Sequence, residues 1–228
     1  MYLMFLRVII TSVFAILFAV TAFGQKAAPM ATPETREPGK ANARPAPTPE
    51  PPRAELFDKA DVKTMASKCV KLETESGDIE MELYPESAPE SVRNFLNLTA
   101  TGAYDTTVFS RVVPGFVIQG GDLYTRDGKM TYALGIRARK TIPDEPGKIL
   151  HERGIVSMAR SDEPNQATTH FFILVDSAPS LDGKFAAFGR VTRGMETVDA
   201  INKVPVENEK PAKPVRIKKA TVQACAAN

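Results

Sequence analysis

The chain has 228 residues, 43% hydrophobic and 25% charged, ordinary proportions for one or two globular domains. Its 29 basic and 27 acidic residues leave a formal charge of +2, which supplies no chain-wide field for gathering nucleic acid or anionic lipid. Two His and two Cys are too few to build a metal centre from such ligands, so neither a nucleic-acid partner nor a metal is expected.

Arg7 precedes an uncharged apolar run from Val8 to Val20, and Ala22-Phe23-Gly24 puts small residues at the two positions a signal peptidase reads. The run falls short of the roughly 20 residues needed to span a hydrocarbon core. Residues 1–24 are therefore expected to be a cleaved export signal, with no stable membrane span. Eight prolines follow between Gln25 and Arg53, with almost no large apolar residues among them. Such a stretch buries too little surface to offset its ordering entropy, so residues 25–53 are expected to be a Pro-rich, disordered, extended linker. Leu56, Val62 and Met65 are the few apolar positions of a short helical lead-in over residues 54–68.

From Cys69 onward short strands dominate. Val70 to Glu73 and Ile79 to Leu83 alternate apolar and polar residues around the turn Glu75-Ser76-Gly77-Asp78, which predicts a half-buried hairpin. Pro89 suits the first turn of a helix, Val92, Phe95, Leu96 and Thr99 recur on one face, and Gly102 supplies the stop. Further strands are expected at Val108–Val113, Phe116–Gln119, Gly154–Ala159, Phe171–Leu174, Ala186–Val191 and Val215–Val222, with a second short helix near Glu196–Ile201. Many antiparallel strands with few helices favour a closed barrel. The connection from Leu123 to Ile149 carries an excess of basic residues and reads as a solvated loop able to steer acidic segments.

Two strands flank the turn Pro114-Gly115, and each holds one polar residue in apolar company, Arg111 and Gln119. Val117 and Gln119 share a face by alternation, and a Gln amide oxygen can accept from a guanidinium on the adjoining strand and orient it. Taken alone, Arg111 reads as a solvated wall residue.

The stretch Phe109-Ser110-Arg111-Val112-Val113-Pro114-Gly115-Phe116-Val117-Ile118-Gln119-Gly120-Gly121-Asp122 resembles the cyclophilin signature. A second block, Gly154 to Arg160 running on to Phe171-Phe172-Ile173, and a third, Leu181-Asp182-Gly183-Lys184-Phe185 with Phe188-Gly189-Arg190-Val191, follow in that family's order. The resemblance implies a mainly β fold, an eight-stranded antiparallel closed barrel capped by two short α-helices, spanning residues 69–228. It implies peptidyl-prolyl cis-trans isomerase activity without a cofactor, Arg111 and Gln119 being the catalytic pair. A proline-binding groove on the outer face is implied at Phe116, Val117, Ala159, Arg160, His170, Phe172, Leu181 and Phe185, with Phe116, Phe172 and Leu181 seating the pyrrolidine ring. Ser110, Val117, His170 and Phe185 depart from the residues common in the best-known members. The family fold brings its first and last strands side by side, which implies a Cys69–Cys225 disulfide in an oxidising compartment.

The function expected is a monomeric folding catalyst for proline-containing segments of exported proteins, periplasmic or secreted. The alternative is a cyclophilin-like module that binds such segments in the cell envelope with little catalysis.

Overall fold

Period-two alternation is what builds the sheet that positions everything else. In β1 (Lys68–Thr74) and β2 (Gly77–Leu83) the apolar residues Val70, Leu72, Ile79 and Met81 point into the core while the charged residues between them face outward. The structure, a computed structural model, describes residues 54–225. The expected signal (1–24) and linker (25–53) lie outside these residues.

Ahead of the sheet comes α1 (Val62–Ala66), whose start is capped by the Asp61 carboxylate accepting from Thr64 N. After β2 come α2 (Pro89–Ala100), β3 (Arg111–Val113), β4 (Val117–Gly120) and α3 (Tyr132–Ala138). The order continues with β5 (Ile155–Met158), β6 (Phe171–Leu174), β7 (Ala187–Arg193), α4 (Met195–Asn202), the two-residue strands β8 (Val206–Glu207) and β9 (Lys210–Pro211), and β10 (Ile217–Ala224). The main sheet is antiparallel throughout, in the order β10-β1-β2-β7-β5-β6-β4-β3.

The expected closed barrel is observed as a curled, eight-stranded half-barrel. Its edge strands β3 and β10 share no ladder; a lone bridge between Val108 and Arg216, with Phe109 N donating to Val215 O at 3.0 Å, stitches the chain just ahead of them. The reason lies at β3, which is three residues long and spends its outer edge on the β8–β9 hairpin, Val112 N donating to Glu209 O at 2.9 Å. Four α-helices, not two, occur among the described residues. The two capping helices that were expected are α2 and α4; α1 falls within the expected helical lead-in, and α3 is additional.

The core lies between α2 and the concave side of the sheet. Phe95 is fully buried, its ring centroid 5.3 Å from Tyr104, 5.2 Å from Phe171 and 5.0 Å from Phe188. Burial of one such ring contributes about 1.5–3 kcal/mol. No side chain of its own caps the N-terminus of α2. Glu145 does so from the long connection, accepting from Glu90 N at 2.9 Å and Ser91 N at 2.8 Å. That connection is thus anchored at a few points, with Leu123 and Ile142 buried, and it carries α3, while most of its other residues stay exposed as expected of a solvated segment.

The lead-in packs on α2 as part of the same body. Phe57 is buried, and its N–H donates to Asn97 Oδ1 at 2.7 Å while its carbonyl accepts from Arg93 Nη1 at 2.7 Å. Asn97, itself buried, also donates to Asp58 Oδ1 at 3.0 Å. Asn97→Ala should therefore strand the Phe57 N–H and cost about 1–3 kcal/mol in urea unfolding, with isomerase activity at wild-type level in the folded protein. An unchanged unfolding midpoint would show that the lead-in is not held there.

Candidate active site

The same alternation that fills the core also makes a second apolar surface on the convex side of the sheet. In β4, Ile118 joins the main core while Val117 and Gln119 face out; in β6, Phe171 and Ile173 face in while Phe172 and Leu174 face out. Val117, Ile155, Phe172, Leu174, Ala178 and Ala187 are the buried members of this outer cluster, and Phe116, Ala159, Leu181 and Phe185 pack against it half-buried. The rings of Phe172 and Phe185 meet edge to face at 5.9 Å. A hydrophobic seat with half-exposed aromatic rims is suited to a small cyclic apolar group.

At the edge of that seat, antiparallel pairing of β3 with β4 sets Arg111 directly opposite Gln119, and pairing of β4 with β6 sets Gln119 opposite Phe172. Arg111 Nη1 donates to Gln119 Oε1 at 3.3 Å, and Arg111 Nε donates to Glu209 Oε2 at 2.7 Å. A guanidinium is thereby held beside an apolar seat, with 42% of its side chain still open to solvent. Immediately after β4 the chain turns through Gly121, φ 88°, so close to the Thr169 carbonyl oxygen that any Cβ there would clash with it.

His170 sits beside this turn, with its carbonyl accepting from Ala159 N at 3.0 Å. Burial holds its imidazole below the usual histidine range, and the nearby Asp122 charge only partly opposes that. A folded-state pKa below the unfolded value of about 6.5 means that the unfolded chain binds more protons as the pH drops. The associated stability is complete above that unfolded value and is lost as pH falls through the folded one. Thermal melts of wild type and His170→Gln from pH 7.5 to 5 should show the wild type losing more stability; parallel curves would contradict this.

Arg160, expected to line the groove, spends its guanidinium on the protein. Nε lies 3.2 Å from Asp144 Oδ2, Nη1 donates to Ser161 O at 2.8 Å, and Cζ stacks 5.0 Å over the Phe185 ring. It therefore braces Phe185 through its side chain.

Sequence reasoning missed three features around the seat. Glu209 is one; nothing local in the sequence links it to Arg111. Leu174 and Ile155 are the second, and the alternation that exposed Val117 and Gln119 would have found them. The third is a network in which His151 Nδ1 lies 3.1 Å from Asp182 Oδ1 and His151 Nε2 lies 3.1 Å from Ser157 Oγ. His151 N also donates to Asp182 Oδ1 at 2.7 Å, and that backbone bond, ahead of the ring contact, holds the Asp182 carboxyl below its usual range. An ionised carboxylate only accepts, so Nδ1 carries the ring proton and Nε2 accepts from the Ser157 hydroxyl. The arrangement has the residues of a nucleophilic triad, yet Ser157 has no exposed surface and cannot reach a substrate carbonyl. Its effect is to pin the segment bearing Leu181 and Phe185 against β5.

The family model for cyclophilin type peptidyl-prolyl cis-trans isomerases matches residues 69–222. A peptidyl-prolyl cis-trans isomerase of Dictyostelium discoideum is 41% identical over 161 residues, 69% of this chain and 99% of that protein. One of Arabidopsis thaliana is 39% identical over 146 residues, 64% of this chain and 65% of its own length, so that relative extends well beyond the match. Among solved structures, a cyclophilin type isomerase of Cryptosporidium parvum, determined in the presence of the dipeptide Ala-Pro, superimposes with a TM-score of 0.60 at 32% identity. That match covers 69% of this chain and 99% of the other. The matched residues contain both faces of the sheet, the apolar seat and the Arg111–Gln119 pair, and the chain belongs to the cyclophilin type peptidyl-prolyl cis-trans isomerase family.

Proposed function

We propose that this isomerase is an exported member of its family, of the bacterial periplasmic kind, working as a monomer on proline-containing segments of other exported proteins. The observation that carries the chemistry is the guanidinium of Arg111, oriented by Gln119 at the rim of a seat built from Phe116, Val117, Phe172, Leu181 and Phe185. The Ala-Pro dipeptide of the Cryptosporidium parvum structure supports a substrate of this class. Export is supported by the signal-like pattern from Arg7 to Gly24 and by the Cys69–Cys225 disulfide, a bond that persists in oxidising compartments.

Resonance gives the X-Pro bond partial double-bond character and a rotational barrier of about 20 kcal/mol. Twisting the bond localises the lone pair on the prolyl nitrogen. A guanidinium N–H aimed at that nitrogen stabilises the twisted form more than either planar form, which is the condition for acceleration. The seat holds the pyrrolidine ring while backbone near Arg160 holds the preceding residue, so one end of the amide turns against a fixed other end. No covalent intermediate and no proton transfer to solvent is involved.

The test is expression of the full chain in a Gram-negative host, followed by fractionation, N-terminal sequencing and a refolding assay on a proline-limited client. The expected product is periplasmic, begins at Gln25 and shortens the slow refolding phase. Retention in the cytoplasm would overturn the export reading. A correctly folded product that leaves the slow phase untouched would overturn the folding-catalyst reading in favour of a binding module.

A further inference from the structure

The tip of the β8–β9 hairpin is a two-residue turn of Asn208 and Glu209, with φ values of 49° and 64°. Turns of this kind favour Asn followed by Gly, because both positions need left-handed backbone. Asn208 is at home there, but Glu209 is not. A residue held in a costly conformation points to a function that the conformation serves. Here the turn does two things at once: the Glu209 carbonyl accepts from Val112 N at 2.9 Å, locking the hairpin onto β3, and the Glu209 carboxylate meets Arg111 Nε at 2.7 Å.

We propose that Glu209 is a positioning residue for catalysis: it fixes the rotamer of Arg111 from the side opposite Gln119. An Arg side chain with 42% exposure would otherwise sample many rotamers, and the 3.3 Å contact to Gln119 is too long to hold it alone. The charge-assisted bond to Nε is the stronger of the two. Neither bond engages Nη2, which leaves that donor to serve the prolyl nitrogen. A carboxylate contributed from a distant hairpin makes the orientation of the reacting group depend on how that hairpin is seated.

This inference rests on the reading of Arg111 as the catalytic donor, so the experiment separates the two. Glu209→Gln is made in the wild type and in an Arg111→Ala background, and isomerisation of an Ala-Pro peptide is measured with kcat and KM resolved. In the wild type, kcat should fall about tenfold with KM changed less than about twofold, since the lost alignment matters only in the twisted state. In the Arg111→Ala background the same substitution should cause no further loss. Glu209→Gly, which removes the left-handed strain, should show the same kinetic loss with a melting temperature unchanged or raised by about 2–4 °C. Unchanged or increased kcat in Glu209→Gln, with Arg111→Ala inactive, overturns the positioning role alone. Equal losses in both backgrounds, or kcat and melting temperature falling together in both Glu209 variants, also overturn it. Full activity in Arg111→Ala overturns the reading of Arg111 and this inference with it.

Discussion

Arg111→Ala should lower kcat/KM for a short Ala-Pro peptide by about 100- to 1000-fold, the loss seen when one donor to a developing lone pair or charge is removed. That corresponds to about 3–4 kcal/mol of stabilisation present only in the twisted amide. The fold should survive, because Arg111 is half-exposed and its two partners are reached through the surface. Exposed ion pairs of this kind contribute about 0–1 kcal/mol to stability. Arg111→Lys should be nearly as slow as the alanine variant, since an ammonium keeps the charge but cannot meet Glu209, Gln119 and the substrate with one planar fork. Wild-type rates in a folded Arg111→Ala protein would remove the guanidinium from the mechanism and leave the apolar seat as a binding surface only.

Opening the Cys69–Cys225 bond should produce the largest loss of stability. The two cysteines are 156 residues apart in sequence, and their sulfurs lie 2.11 Å apart where β1 and β10 run side by side. Closing a loop of that length removes so much freedom from the unfolded chain that the entropy model assigns about 5 kcal/mol to it. Replacing both cysteines with Ser, or reducing the folded protein, should lower the denaturation midpoint by a corresponding amount with kcat/KM unchanged, because the bond is remote from the groove elements β3, β4 and β6. A midpoint identical in oxidised and reduced protein would show that the unfolded chain is already constrained there.

Legibility in the sequence followed the range of the interactions. Alternation in Val117-Ile118-Gln119 and the Pro-Gly turn before it are local, and they put Val117 and Gln119 on one face, as the structure has them. Resemblance then assembled Phe172, Leu181 and Phe185 around them, segments that no local pattern connects. Glu145 capping α2 and Glu209 holding Arg111 act across 55 and 98 positions, and neither stretch carries a signal that names its partner. The failed closure has the same origin: whether β3 offers its free edge to β10 or to a hairpin is decided by packing beyond the strand itself. Helix α3 was hidden for a different reason. Tyr132 and Ile136 remain exposed and Gly135 interrupts the run, so the segment lacks the buried stripe by which a short helix is recognised.

Because one strand supplies inward side chains to the core and outward ones to the groove, a slip of a single residue in β4 or β6 would exchange the two sets. A slip in β4 would therefore turn Gln119 into the apolar core, and a slip in either strand would lose the seat in the same event. Turnover per molecule is then a gauge of correctly paired chains, and a preparation's specific activity reports the quality of its refolding as directly as any spectroscopic probe.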